Sequence, residues 1–446
     1  MARFRAASGI FGRDRAIPAQ LECNHFAGCD MSRESPRPRS ARLCDAALRY
    51  LPAKLARHPR VRPVSLGSRM IRAGFAAILA AVLAGVFSGA AWAEGDWETT
   101  PASEAALARG LTWLAHAKNQ GRDGNWQSND LGLVGLGALA FMADGHLPGR
   151  GEYGRACQRS LDYMLRKSRR DTGLLNIADP KRDMYNHGLA TFVLGQAHGM
   201  KKDDELGGVL ERALKLIAAT QCRDGGWDYE ARSQHMGHDL SLAVMQAKAL
   251  RSAVDSGLEA PQEVIDLAMR SVREHYTPNG ASRTAPEEEQ REHRGQFTYQ
   301  KGGGGGTIAM AAAGVVCLQE FGQYDDWRIA KNMEVITAAV KQLKPERRNG
   351  QVPFDAYTLY YVGQALYQVG GEPWRECYPI LRDHLVATQI QALGNAEQDG
   401  RWHDGARVGG KPGELFGTAV ACFVLAIPNR YLPILQEGKI ERFKVK

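Results

Sequence analysis

Every second helical segment in this 446-residue chain is apolar or small-sided all the way round. Residues 307–318 run from Thr307 through Ile308, Ala309, Met310 and four further small residues to Val315, Val316, Cys317 and Leu318. Comparable segments fall at roughly 131–143, 186–198, 239–253, 356–369 and 415–427. Between them lie amphipathic segments. In one of these, Leu206, Val209, Leu210, Ala213, Leu214 and Ile217 share a helix face opposite Glu211, Arg212 and Lys215, the spacing of a half-buried helix. Its equivalents lie near 103–119, 153–168, 261–276, 325–343 and 373–389. A helix that is apolar on all sides must be covered on all sides. Six such helices alternating with six amphipathic ones are accommodated by an inner ring enclosed by an outer ring. Helix pairs can also stack into an open solenoid, but that arrangement does not require every second helix to be uniformly apolar. The expected fold is all-α, a closed α/α toroid of about six helix pairs.

A second regularity marks the joints. Gln221-Cys222-Arg223-Asp224-Gly225-Gly226-Trp227 is repeated by Gln120-Gly121-Arg122-Asp123-Gly124-Asn125-Trp126, and its second half by Asp399-Gly400-Arg401-Trp402. Each copy follows an amphipathic segment and precedes an apolar one. The glycine supplies the left-handed residue that ends a helix, and the aspartate can bond amides within the turn. The glutamine is placed to tie to the next repeat, and the tryptophan to plug the gap between neighbouring outer helices.

These blocks, with Tyr185-Asn186-His187-Gly188-Leu189-Ala190-Thr191, residues 302–317 and Arg430-Tyr431-Leu432-Pro433, resemble the Gln-Trp repeats of the prenyltransferase and squalene-cyclase superfamily. The resemblance spans about residues 103–435 and is narrower still to exported bacterial proteins built of that repeat. It implies an α/α toroid. It does not carry the superfamily's chemistry across. The Asp-x-Asp-Asp acid of terpenoid cyclases, the Asp-x-Cys zinc pair of protein prenyltransferases and the Cys-Gly-Glu-Gln thioester are all absent. Asp203-Asp204-Glu205 and Asp325-Asp326 fall at the starts of outer helices, on the wrong ring.

The front of the chain reads differently. Met70-Ile71-Arg72 opens an apolar run over 73–90, closed by Ala91-Trp92-Ala93. That is the layout of a secretory signal, with an uncleaved membrane anchor as the other reading of a run near the lower limit for spanning. The expected location is therefore exported, periplasmic or secreted, with membrane attachment only through this segment. Residues 1–69 hold 14 Arg or Lys against 5 Asp or Glu and no regular periodicity, and read as a disordered basic tail that precedes the true start. Their surplus of nine positive charges accounts for the whole chain's +8, so residues 70–446 are within one charge of neutrality. The electrostatic footprint of a nucleic-acid binder is missing. The expected organisation is thus a tail over 1–69, a signal segment over 70–93 and one toroid domain over 94–446.

Of eight cysteines, five lie beyond the signal: Cys157, Cys222, Cys317, Cys377 and Cys422. Their number and spacing make neither a disulfide framework nor a zinc motif, and Cys317 and Cys422 sit within apolar helices as small hydrophobes.

In a toroid the inner helices point their N-termini at one end of the ring. Those N-termini are read at Asp130, Asn186-His187, His238-Asp239, Gly306-Thr307, Asp355 and Glu414. Aspartates there cap orphan amides. They would also gather titratable groups at the mouth of an apolar cup, the usual setting of an active or binding site. The candidate acid–base residues are His187, His238, Asp239 and Asp355. The candidate ligand-binding residues are Asn186, Tyr357, Tyr361, Phe416 and Glu414, with Phe354, Tyr360 and Tyr367 in the same aromatic cluster. No spacing supports a metal site, and no cofactor motif is present. The five glycines at 302–306 lack the Gly-Lys-Ser/Thr of a phosphate loop. Residues 279–306 break the repeat and read as a flap over the rim. Two functional readings stand: a binding protein for an extended apolar, glycan or peptide ligand, and an enzyme, terpenoid-directed or a polysaccharide lyase or hydrolase, using the rim of Asp and His groups.

Overall fold

The computed structural model describes residues 97–303, 305–344, 350–403 and 413–436. The basic tail and the signal segment lie outside the described residues.

Twelve principal helices alternate between two layers. The outer ones are α1 (Pro101–Ala115), α3 (Gly154–Lys167), α5 (Asp204–Thr220), α7 (Gln262–Arg273), α9 (Trp327–Lys341) and α11 (Gly371–Thr388). The inner ones are α2 (Leu131–Ala143), α4 (Asp183–Met200), α6 (Leu240–Asp255), α8 (Ile308–Glu320), α10 (Ala356–Val369) and α12 (Gly413–Ala426). Neighbouring inner helices pack in chain order from α2 to α12, and α12 returns to α2, so the inner ring is closed. Each outer helix lies on the inner helix that follows or precedes it, and α11 packs on α1 to close the outer ring. Every residue of α2 is buried, whereas α7 buries Val264, Ile265, Ala268, Met269 and Val272 along one stripe. The fold is the α/α toroid that the alternation predicts.

The repeated blocks act as staples. The Trp126 indole donates to the Leu114 carbonyl (3.0 Å), Trp227 to Ile217 (2.9 Å) and Trp402 to Leu385 (3.0 Å), in each case near the end of the preceding outer helix. The glutamine amides reach forward to the next outer helix: Gln120 to the Ala156 carbonyl (2.8 Å) and Gln221 to Val264 (2.9 Å). Gln389 makes the same bond across the seam, to the Ala106 carbonyl of α1 (2.7 Å). One hydrogen-bond pattern therefore serves two internal joints and the closure. Gly225 shows why glycine is needed: it has φ +86°, and a Cβ there would lie 2.1 Å from the Leu267 carbonyl oxygen. Asp224 accepts from the Gly226 and Gly237 amides (3.1 and 2.9 Å), and Asp399 from Ala392 (2.7 Å). In the first copy Asp123 is exposed, and Asn125 holds the turn by accepting from Gln127 (3.3 Å).

Three joints lack the block; between α9 and α10 it survives only as Gly350, at φ +89°, with buried Val352 two positions on. Between α3 and α4 the block survives only as Gly173, at φ +78° against Arg212, with buried Leu175 where the tryptophan would stand. Between α7 and α8 the plug is Phe297, whose ring fills the space a Cβ on Gly314 would occupy. Phe297 ends a strand, β2 (Arg294–Phe297), paired antiparallel with β1 (Tyr276–Asn279), with a short helix (Glu287–Glu292) between them. The stretch read as a flap is thus partly an anchored hairpin. The Phe297 amide donates to Asn332 of α9 (3.0 Å), Arg328 pairs with Glu287 (2.7 Å), and Tyr276 meets Trp327 edge-on at 5.0 Å.

The end of the ring opposite the staples is crossed by the segment after α12. Asn429 donates to Asp144 (2.8 Å), and the Ile434 amide donates to Gln196 of α4 (3.0 Å). All five described cysteines are unpaired and buried. Among the described residues no helix is long and apolar enough to cross a membrane, and no cluster of His, Cys, Asp and Glu could hold a metal.

Candidate functional site

Three of the inner helices begin with a capping aspartate at the end of the ring that carries the staples. Asp130 accepts from the Leu133 amide (3.0 Å), Asp239 from Ser241 (2.9 Å) and Asp355 from Thr358 (2.8 Å). Each bond satisfies one of the orphan amides of a helix start. Thr307 caps α8 in the same way, accepting from Met310 (3.2 Å).

Asp239 is the most heavily engaged of the three. It is 7% exposed. Its Oδ1 takes the Ser241 amide, and its Oδ2 takes two further donors, the Tyr229 hydroxyl (2.8 Å) and Nδ1 of His238 (2.9 Å). The His238 side chain is half exposed, and Tyr229 packs edge-on against it with ring centroids 4.8 Å apart. With Nδ1–H donating to the carboxylate, the lone pair of the neutral imidazole is left on Nε2. Nε2 makes no hydrogen bond among the described residues. Chemically this is a carboxylate-oriented imidazole, able to accept a proton or a hydroxyl hydrogen at Nε2. Burial and the Asp239 charge push the Tyr229 phenol above its ordinary range, so it stays a donor.

Beside this group lies a body of tyrosines. Tyr185 of α4 and Tyr299, which precedes α8, keep some exposed surface. The hydroxyl of Tyr299 faces that of Tyr357, and Tyr185 faces Tyr361. Tyr357, Tyr360 and Tyr361 are buried, and their ring centroids stand 5.0 and 5.4 Å apart in edge-on contacts. All three hydroxyls are fully buried, and burial raises all three phenols well above their ordinary range. The two tyrosines expected to line an open cup, Tyr357 and Tyr361, therefore belong to its packed floor. At the rim Phe354 holds φ 61° directly before Asp355, a strained conformation for a bulky residue.

The other expected residues are dispersed. His187 is fully buried, inside α4 rather than at its start, because the helix begins three residues earlier than Asn186. Its Nδ1 accepts from the Leu175 amide (3.0 Å) and its Nε2 donates to the Ala213 carbonyl of α5 (3.1 Å). One nitrogen thus ties α4 to the loop that precedes it and the other ties α4 to α5, and burial lowers its pKa to about 4. His187 is not brought together with Asp239. Asn186 is buried beside Asp130, with its side-chain amide facing that carboxylate. Phe416 is buried at the start of α12. Glu414 is exposed, 3.8 Å from Arg401. The residues that sequence reasoning missed are Tyr229, Tyr185 and Tyr299. Tyr229 follows the staple Trp227 by two positions in a loop without periodicity, and no pattern marks it.

No protein-family model matches this sequence, and no curated protein is similar to it. Solved structures with a similar backbone include the GH76A alpha-1,6-mannanase of Salegentibacter sp. HEL1_6, at 9% identity and TM-score 0.46 over 74% of this chain and 98% of that one. Inactive double variants of the same mannanase, in complex with alpha-1,6-mannotetrose and with alpha-1,6-mannotriose, match at 9% identity and TM-score 0.47. These cover 76% of this chain and all of the mannanase.

Proposed function

We propose that this chain is an exported α/α toroid of the prenyltransferase and squalene-cyclase repeat type that binds a glycan at the rim formed by the inner-helix N-termini. The observation that carries the ligand class is the Tyr229–Asp239–His238 group beside partly exposed tyrosines. An ionised carboxylate is an acceptor only, and sugar hydroxyls are the donors that suit it. Tyrosine faces offer apolar area to a sugar ring while their hydroxyls bond its edge. A polyprenol would desolvate Asp130, Asp239 and Asp355 without giving them a donor, which is unfavourable. The repeat type is supported by the Gln–Gly–Trp staples, and export by the signal-like run over 70–93.

A second reading, a polysaccharide lyase or hydrolase, is favoured by His238 Nε2. A carboxylate-held imidazole with a free lone pair at a half-exposed site is a general-base geometry.

The test is thermal shift and calorimetry with oligosaccharides, polyprenols and basic peptides. Stabilisation by an oligosaccharide, about 2.7 kcal/mol at a hundredfold excess over Kd, is expected, and Asp239→Asn should weaken it at least tenfold. A shift with polyprenols or peptides alone overturns the glycan reading. For turnover, His238→Ala should abolish release of new sugar ends while weakening binding far less than Asp239→Asn does. If the wild-type protein releases none, the enzymatic reading fails.

A further inference from the structure

The opposite end of the ring carries a recess that the rim reading does not use. It has a volume of about 740 Å³ and lies among the C-terminal ends of α6, α8 and α10, the start of α11 and the segment after α12. That volume is within the range of small-molecule sites.

Its lining is chemically uneven. Gln319 of α8 is 3% exposed, and its Oε1 has no hydrogen-bond partner among the described residues. Gln368 of α10 donates its Nε2 to Glu320 (3.0 Å) and likewise leaves a buried Oε1 without a donor. Two buried amide oxygens in one recess call for hydroxyl or N–H donors from whatever fills it. Aromatic surface is supplied by Trp97, Tyr324 and Tyr367. The neighbouring charges mostly cancel: Arg251 Nε donates to both carboxylate oxygens of Asp255 (2.8 Å), Arg430 pairs with Glu98 (2.9 Å), and Lys248 pairs with Glu320 (3.3 Å). Arg375 is the exception. It is exposed at the mouth, on the first turns of α11, and makes no ion pair among the described residues.

We infer that this recess is a second binding site, for a small hydroxylated carboxylate such as a sugar acid. Its hydroxyls would donate to Gln319 and Gln368, its ring would lie against the aromatic wall, and its carboxylate would meet Arg375. Arginine forks match a carboxylate bidentately. The inference stands independently of the rim, because no residue is shared.

The experiment is calorimetric titration of the full chain with D-glucuronate and, separately, D-glucose. Saturable one-to-one binding of glucuronate is expected, at least tenfold tighter than glucose. Arg375→Ala should weaken it at least tenfold, and because the residue is exposed this variant leaves the fold intact. Gln319→Leu should weaken it comparably; should that variant fail to fold, Gln319→Glu, which sets a second carboxylate against the ligand, replaces it. Asp239→Asn at the other end should leave the constant unchanged. The inference is overturned by no saturable heat, by equal affinity for glucose, by binding indifferent to Arg375→Ala, or by binding lost in Asp239→Asn.

Discussion

The seam between α11 and α1 offers a quantitative test of ring closure. Arg109 of α1 donates from Nε to Oε1 of Gln389 at 3.1 Å, although 280 positions separate them in sequence. Gln389 is 3% exposed, and its Nε2 bonds the Ala106 carbonyl (2.7 Å) and the Gly400 carbonyl (2.8 Å). Gln389→Leu leaves two buried carbonyls without that donor and should cost about 2–4 kcal/mol, taking the lower part of the usual range for each orphaned group. Arg109→Ala loses a charge-assisted bond at a half-buried site and should cost about 1–2 kcal/mol. The decisive quantity is their coupling. Residues in direct contact couple by about 0.5–3 kcal/mol, whereas remote ones add to within about 0.3–0.5 kcal/mol. Urea unfolding of the wild type, the two single variants and the double variant, followed by far-ultraviolet circular dichroism, yields the cycle. A closed ring predicts a double variant at least 0.5 kcal/mol (roughly the lower bound for contact) less destabilised than the sum. Strict additivity would mean that the first and last outer helices do not meet, and the argument from buried alternate helices would fail.

Two further outcomes follow from buried charge. His187 titrates near 4 in the fold but near 6.5 in the unfolded chain, so protonation favours unfolding. Its contribution, about 3 kcal/mol by linkage, is complete above roughly pH 6.5 and is lost as pH falls to roughly 4. A His187→Gln variant should therefore show a shallower fall of stability across that window, by about one proton, in urea titrations at stepped pH; an unchanged slope would contradict the buried neutral imidazole. Lys248 and Glu320 are both fully buried and paired at 3.3 Å, with desolvation lowering the lysine pKa against the pull of Glu320. Lys248→Met alone should destabilise by about 3–5 kcal/mol, and adding Glu320→Gln should recover most of it in the same urea assay. Equal stability of the two variants would show that the carboxylate does not depend on the lysine.

The ring itself was legible because enclosure leaves a mark on composition: α2 and α12 have no polar face to hide. The staples were legible because a left-handed turn against a neighbouring backbone demands glycine, and a buried indole demands a carbonyl. Where the same joint is made by other means the pattern vanishes, as with Leu175 beside Gly173 or Phe297 against Gly314. The hairpin strands are four residues long, include Pro278 and Arg294, and carry no alternation strong enough to read. His187 could not be placed because a helix start shifted by a single turn decides whether a polar residue caps the rim or crosses to the outer ring. The depth of Tyr357 and Tyr361 was hidden for a related reason. On a helix buried all round, sequence does not distinguish the side facing the axis from the side facing a neighbour.

The central functional claim is that a glycan binds where the inner-helix N-termini meet. A crystal structure of the protein soaked with an oligosaccharide selected by thermal shift tests it most directly. The account predicts sugar density beside His238 and Asp239, with a ring against Tyr185 or Tyr299 and a hydroxyl within hydrogen-bond reach of His238 Nε2. Sugar bound only on the outer ring, or only at the opposite end beside Arg375, would contradict it.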